Sequence, residues 1–176
     1  RSRMVIRAGL RADRGTGSWI ARAGLGAEGR MGFGTEEQKE RVLPEVTAGD
    51  AVMGSAISEP QAGSDVTSVA TRAEKDGDEW VINGSKMWIT NSPIADVAVV
   101  WARDTSDPET PERGFLVETD RDGVTTNEID EKLSLRASIT GEISLQNVHV
   151  PEANVLPGVE GMKGPLSCLT QARYGI

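Results

Sequence analysis

From residue 51 to residue 150, apolar positions recur in short runs with a spacing of two, the period of strands that bury one face. The runs fall at 51–57, 68–75, 79–83, 86–90, 96–103, 113–118, 124–129 and 139–148. Turn-forming pairs punctuate them: Asp76-Gly77, Asn83-Gly84, Ser92-Pro93, Asp107-Pro108 and Asp122-Gly123. Short strands at intervals of roughly 8–12 residues predict a sandwich or barrel. Val97, Val99 and Trp101 share one face of their strand, and Ala98, Val100 and Ala102 share the other. A strand apolar on both faces belongs in the middle of a sheet. Asn83-Gly84, set between two β-rich runs, predicts a tight hairpin that carries Trp88 and Thr90 on one face.

A helical period appears only at the two sides. Thr35 with Gln38 forms a capping box, with Glu36 and Glu37 in the favourable first turn and Val42 and Leu43 on an apolar face. Pro44 is expected to end this helix and open a second short turn to Ala48, closed by Gly49-Asp50. A second helix is expected from Gly164, with Leu166, Leu169 and Arg173 on roughly one face. It has no partner helix in the chain to cover that face.

Charge divides the chain. Residues 1–30 hold seven arginines against Asp13 and Glu28, a net +5 in a protein of net charge −8. The remaining residues therefore carry −13, the difference between −8 and +5. Such a body disfavours nucleic acid and anionic membranes. Apolar content is 38%, below the globular average of roughly 45–50% but too high for disorder. Cys168 is the single cysteine, so no internal disulfide forms, and a reducing cytoplasm is expected. His149 is the single histidine, and with Cys168 it gives too few His and Cys ligands for a multi-ligand zinc site. No apolar run approaches the roughly 20 residues that span a bilayer, and the start lacks the apolar core of a signal peptide.

One stretch carries candidate chemistry. Residues 54–65 read Gly-Ser-Ala-Ile-Ser-Glu-Pro-Gln-Ala-Gly-Ser-Asp. Pro60 stops the strand, and Ala62, Gly63 and Ser64 let a ligand approach the backbone closely. The indole of Trp88 beside the hydroxyl of Thr90 suits a flat heteroaromatic ring with hydrogen-bonding edges.

AISEPQAGSD, followed by NGSKMWITNSP, resembles the two signature segments of acyl-CoA dehydrogenases. KLSLRASITGEISLQNVHVPEANVLPG and GPLSCLTQARYGI look most like glutaryl-CoA dehydrogenases. The resemblance runs from about Phe33 to Ile176. It implies a mainly β fold, the family's middle β-barrel or sandwich domain, with short helices at its N- and C-terminal sides. The implied divisions are an unmatched basic segment at 1–32, linker helices at 33–50, the β-domain at 51–152, and the start of a C-terminal helical domain at 153–176.

The resemblance also implies FAD as cofactor, held by Ser55, Ala56, Ile57, Ser58 and Ser64 with Trp88, Ile89 and Thr90. Ser64, Leu166, Leu169 and Arg173 would meet an acyl-CoA, of glutaryl type. An electron-transfer flavoprotein is the expected acceptor and a homo-tetramer the expected assembly. No residue here is expected to be catalytic: the family's base is a glutamate beyond residue 176, so the chain alone is expected to be inactive. Two rival readings are an acyl-CoA oxidase or flavin monooxygenase relative, and a non-catalytic β-sandwich binding module.

The remaining residues are given plainer roles. Glu59 is tied to its turn, Lys86 is a solvated hairpin lysine, Trp80 and Trp101 are core, Cys168 packs, and His149 lies on the strand surface. Arg136 holds a loop or a subunit contact. Residues 1–30 match nothing in the family and read as a frame-shifted translation or a disordered basic arm.

Overall fold

The computed structural model describes residues 32–109, 111–159 and 161–174. The reading of residues 1–30 lies outside them.

Seven strands form one curled half-barrel sheet: β1 (Met53–Ala56), β2 (Arg72–Asp76), β3 (Glu79–Thr90), β4 (Val97–Asp104), β5 (Glu112–Glu118), β6 (Val124–Glu128) and β7 (Thr140–Pro151). Their order is β1-β4-β2-β3-β7-β6, with β5 on the other side of β4. Helix α1 (Glu36–Ala48) precedes the sheet and α2 (Lys163–Tyr174) follows it.

β4 is central, as its two apolar faces require. Along one edge it runs antiparallel to β5. Along the other it runs parallel first to β1 and then to the start of β2. Ala98, Val100 and Ala102 join the core inside the curl, with Trp80, Ile82, Phe115 and Val148. Val97, Val99 and Trp101 join a second core beneath the helices, with Val42, Val46, Ile57 and Cys168. Cys168 and the partly buried Leu169 set α2 on the sheet, while Leu166, on the face expected to be apolar, stays exposed.

Helix α1 begins at the predicted capping box: Thr35 Oγ1 accepts from Gln38 N–H, and Gln38 Oε1 accepts from Thr35 N–H. It does not end at Pro44. The helix runs through to Ala48, where Gly49 in the left-handed region closes it. Val42 and Val46 lie either side of the proline and are both buried, so packing offsets the one lost backbone bond. Glu40, whose carbonyl loses that bond, lies on the exposed face.

The hairpin expected at Asn83-Gly84 is absent. β3 is one continuous strand of twelve residues, paired with β7 from Glu79↔Pro151 to Thr90↔Thr140. The real hairpin lies seven residues earlier, where Asp76 pairs with Glu79 across a two-residue loop and Gly77 has φ +60°. Asn83 instead serves a β-bulge. β7 has one extra residue opposite Ile82–Gly84, and Asn83 Oδ1 accepts from the N–H of Asn147, whose φ is +51°. Gly84 is needed for space: a Cβ there would lie 2.4 Å from Thr71 Oγ1 and 2.8 Å from Thr71 Cα.

Candidate functional site

A second bulge makes the site. Opposite Ile143–Gly141, β3 carries one extra residue between Lys86 and Ile89. The extra residue reverses which side chains face inward. Trp80, Ile82 and Lys86 are buried at even positions, then Ile89 at an odd one. Trp88 takes up the difference with φ +62°, an uncommon backbone for so large a side chain, and its indole is 57% exposed. Thr90 is exposed beside it.

The segment after β1 lies against this bulge. Met87 N–H donates to the Ser58 carbonyl at 2.9 Å. Lys86 Nζ donates to the Ile57 carbonyl at 3.2 Å and to Glu59 Oε1 at 2.7 Å. Glu59 then gathers the rest of the loop. It accepts from Ala70 N–H at 2.7 Å, from Thr71 N–H at 3.1 Å, from Thr71 Oγ1 at 2.5 Å and from Gln61 Nε2 at 2.6 Å. Glu59 and Ala62 exchange backbone hydrogen bonds across Pro60-Gln61. The tie of Glu59 to its turn is therefore observed. Lys86 is corrected: it is fully buried, not solvated.

Continuous β3 explains Lys86, because an even position after Trp80 and Ile82 faces inward. That parity was readable in the sequence, but the expected hairpin obscured it. Burial works against the charge of Glu59, yet hydrogen bonds from Lys86 and Thr71, the Lys86 charge and the Ala70 N–H bring its carboxyl down to about 2. Burial pulls the Lys86 ammonium down to about 8, against the hydrogen bond and charge of Glu59. Both groups stay ionised at neutral pH.

The residues expected to hold a cofactor divide by exposure. Trp88, Thr90 and Ser64 are exposed and Ser58 is half-buried. Ala56, Ile57 and Ile89 are buried in the cores. Ser55 Oγ is buried without a hydrogen-bond partner. An exposed indole and hydroxyl, the half-buried Ser58 on the neighbouring segment and an orphaned buried hydroxyl fit a planar ring with polar edges. Of the acyl-CoA set, Leu166 is exposed, Leu169 packs partly on the core, and the Arg173 side chain lies outside the described residues.

Other expectations resolve simply. Trp80 stands edge-on to Phe115 at 5.5 Å, and Trp101 is 1% exposed, both in core. His149 is on the strand surface, with Nδ1 3.2 Å from Glu79 Oε2. Arg136 Nε donates to the Lys132 carbonyl within its own loop. Among the described residues no cluster of His, Cys, Asp and Glu could hold a metal, and no helix is long and apolar enough to cross a membrane.

Known proteins resemble this chain in sequence and in fold. Mitochondrial isovaleryl-CoA dehydrogenase of Pongo abelii is 42% identical over 126 residues, which is 70% of this chain and 30% of that protein. A glutaryl-CoA dehydrogenase from Mycobacterium smegmatis, solved in complex with FADH2, is 48% identical with a TM-score of 0.82. The match covers 88% of this chain and 39% of that one. A glutaryl-coenzyme A dehydrogenase solved as its glutaryl-CoA complex is 35% identical with a TM-score of 0.78, over 89% of this chain and 42% of that one. The chain thus spans well under half the length of these relatives. The family model described as acyl-CoA dehydrogenase, middle domain, matches residues 54–148, more than half of the sequence, and the chain belongs to that family.

Proposed function

We propose that the chain supplies the β-domain wall of a flavin site in an acyl-CoA dehydrogenase of glutaryl type. The observation that carries this is the Met87 N–H to Ser58 carbonyl bond, which joins the two signature segments beside an outward-facing Trp88. FAD, when bound, accepts the β-hydrogen of a thioester as hydride. In this reading Trp88 lies against the ring, and the Thr90 hydroxyl and the main chain of Ser55 to Ser58 and Ile89 offer hydrogen bonds to its edge. Ser64 faces both ring and acyl-CoA, and Leu166, Leu169 and Arg173 meet the thioester. No described residue is assigned the α-proton.

The division proposed is 33–50 as linker helices, 51–152 as the flavin-binding β-domain and 153–176 as the start of a helical domain. In the whole protein the acceptor is an electron-transfer flavoprotein, the assembly a homo-tetramer and the compartment the cytoplasm. The glutaryl assignment rests on the M. smegmatis likeness, while the isovaleryl relative points to a branched acyl group. Titration of the full chain with FAD, followed at the flavin absorption band, tests the site: saturable uptake that Trp88→Ala weakens about tenfold is expected, and no uptake refutes it. Perturbation of that band by glutaryl-CoA but not by isovaleryl-CoA supports the glutaryl assignment, and the reverse overturns it.

A further inference from the structure

Lys86 is 0% exposed and Glu59 is 3% exposed. A buried ion pair is a poor device for stability alone, since apolar groups of the same volume often do as well. What it provides is fixed geometry, and here the fixed elements are the segment after β1 and the β3 bulge. Lys86 reaches the Ile57 carbonyl just after β1 and Glu59 two residues later. Glu59 continues to Ala70 and Thr71, where the loop returns to the sheet. The next residue along β3, Met87, bonds Ser58, and the one after it is the left-handed Trp88. Such a backbone persists only where its surroundings over-determine it. They do so here: Lys86 is fixed on one side, Ile89 is buried on the other, and the chain between them has one residue more than β7 can pair.

We infer that Glu59 and Lys86 are positioning residues: their buried pair sets the separation between the Ser55–Ser64 arm and the Trp88 bulge, and so aims the indole out of the sheet. The inference rests on reading this site as a flavin site and deepens it, because neither residue need touch the ligand. They act through Ser58 and Trp88.

The test is the double variant Glu59→Gln/Lys86→Met in the full 176-residue chain, which removes both charges and keeps both shapes. No charge is left unpaired, but an amide nitrogen cannot accept the hydrogen bonds that one Glu59 oxygen takes, so the unfolding midpoint is expected to fall less than in Lys86→Met alone. Amide exchange at Met87 should rise at least tenfold while exchange at Val100 does not. The near-ultraviolet circular dichroism of the Trp88 indole, assigned with Trp88→Phe, should weaken, and FAD affinity should fall at least tenfold. A folded double variant with unchanged Met87 exchange and unchanged indole signal overturns the inference. If the unaltered chain takes up no FAD, the flavin reading fails by itself, and the pair is judged on exchange and indole signal. If the double variant does not fold, Thr71→Val replaces it, keeping both charges and removing one hydrogen bond to Glu59. Exchange at Met87 should then rise at least threefold relative to Val100, and an equal change at both positions overturns the inference.

Discussion

Asp76-Gly77 and Asn83-Gly84 are the same local signal seven residues apart, and they have opposite outcomes. Gly77 turns the chain back: its φ is +60°, and nothing lies within 4 Å of where a Cβ would stand. Gly84 keeps the chain straight, and Thr71 fills the space a Cβ would need. The first glycine answers to backbone conformation and the second to packing. What separates them is long-range: β7 offers twelve residues of ladder, and β3 can use it only by running through Asn83-Gly84 unbroken. Beyond Gly84 the packing extends from Thr71 to Glu59 to Lys86, whereas beyond Gly77 there is solvent.

That contrast is broken most forcefully at its buried end. Lys86→Met leaves Glu59 ionised and without its partner in a closed site. The expected loss is about 3–5 kcal/mol, because removing one member of a buried pair strands the other. Denaturant unfolding of the full chain measures it, and a loss under about 1 kcal/mol would mean that water reaches Glu59 freely.

The parts of the fold legible in the sequence were those fixed by local chemistry. The Thr35–Gln38 cap, the two-faced β4 and the Asp122-Gly123 turn, where Gly123 has φ +86°, are each written within a few residues. The parts not legible depend on partners far along the chain. Pro44 sits inside α1 because Val42 and Val46 find one core, and Asn83 serves Asn147, 64 residues away. The flavin-facing candidates were legible as motifs, but Lys86 and Glu59 were not legible as a pair, since 27 residues separate them and the assumed hairpin turned Lys86 outward. A strict period-2 count from Trp80 would have put Lys86 inside.

Gly84 is the steric end of the contrast. Gly84→Ala forces a methyl onto the backbone of Thr71 and should cost about 2–3 kcal/mol, the range for overpacking a core that cannot shift. It should also loosen Thr71 from Glu59, so its cost and that of Thr71→Val should fall short of additive. Thermal unfolding of the two single variants and the double checks both points.

Acid tests the charge without mutation. Glu59 titrates at about 2 in the folded chain against 4.5 ordinarily, so its stabilising share is present above pH 4.5 and is lost as pH falls through 2. The loss should be about 3 kcal/mol. Lys86 has the opposite sign: its folded value of about 8 lies below the ordinary 10.5, so its burial costs stability below pH 8 and that cost fades between 8 and 10.5. In Glu59→Gln the acid slope between pH 4.5 and 2 should flatten relative to the unaltered chain.

The smallest effect separates conformation from space most cleanly. Gly77→Ala meets no neighbour, so its whole cost is that of an L side chain at φ +60°, about 1 kcal/mol. Asparagine tolerates the left-handed region better than alanine, so Gly77→Asn should recover most of that loss and lie within about 0.5 kcal/mol of the unaltered chain. At position 84 the order should invert. There φ is not positive, and the larger side chain meets the same Thr71 atoms with more volume, so Asn should be at least as damaging as Ala. Four variants in one unfolding assay decide it. If Asn is the better residue at both positions, Gly84 is there for its backbone after all, and β3 is not held open by Thr71.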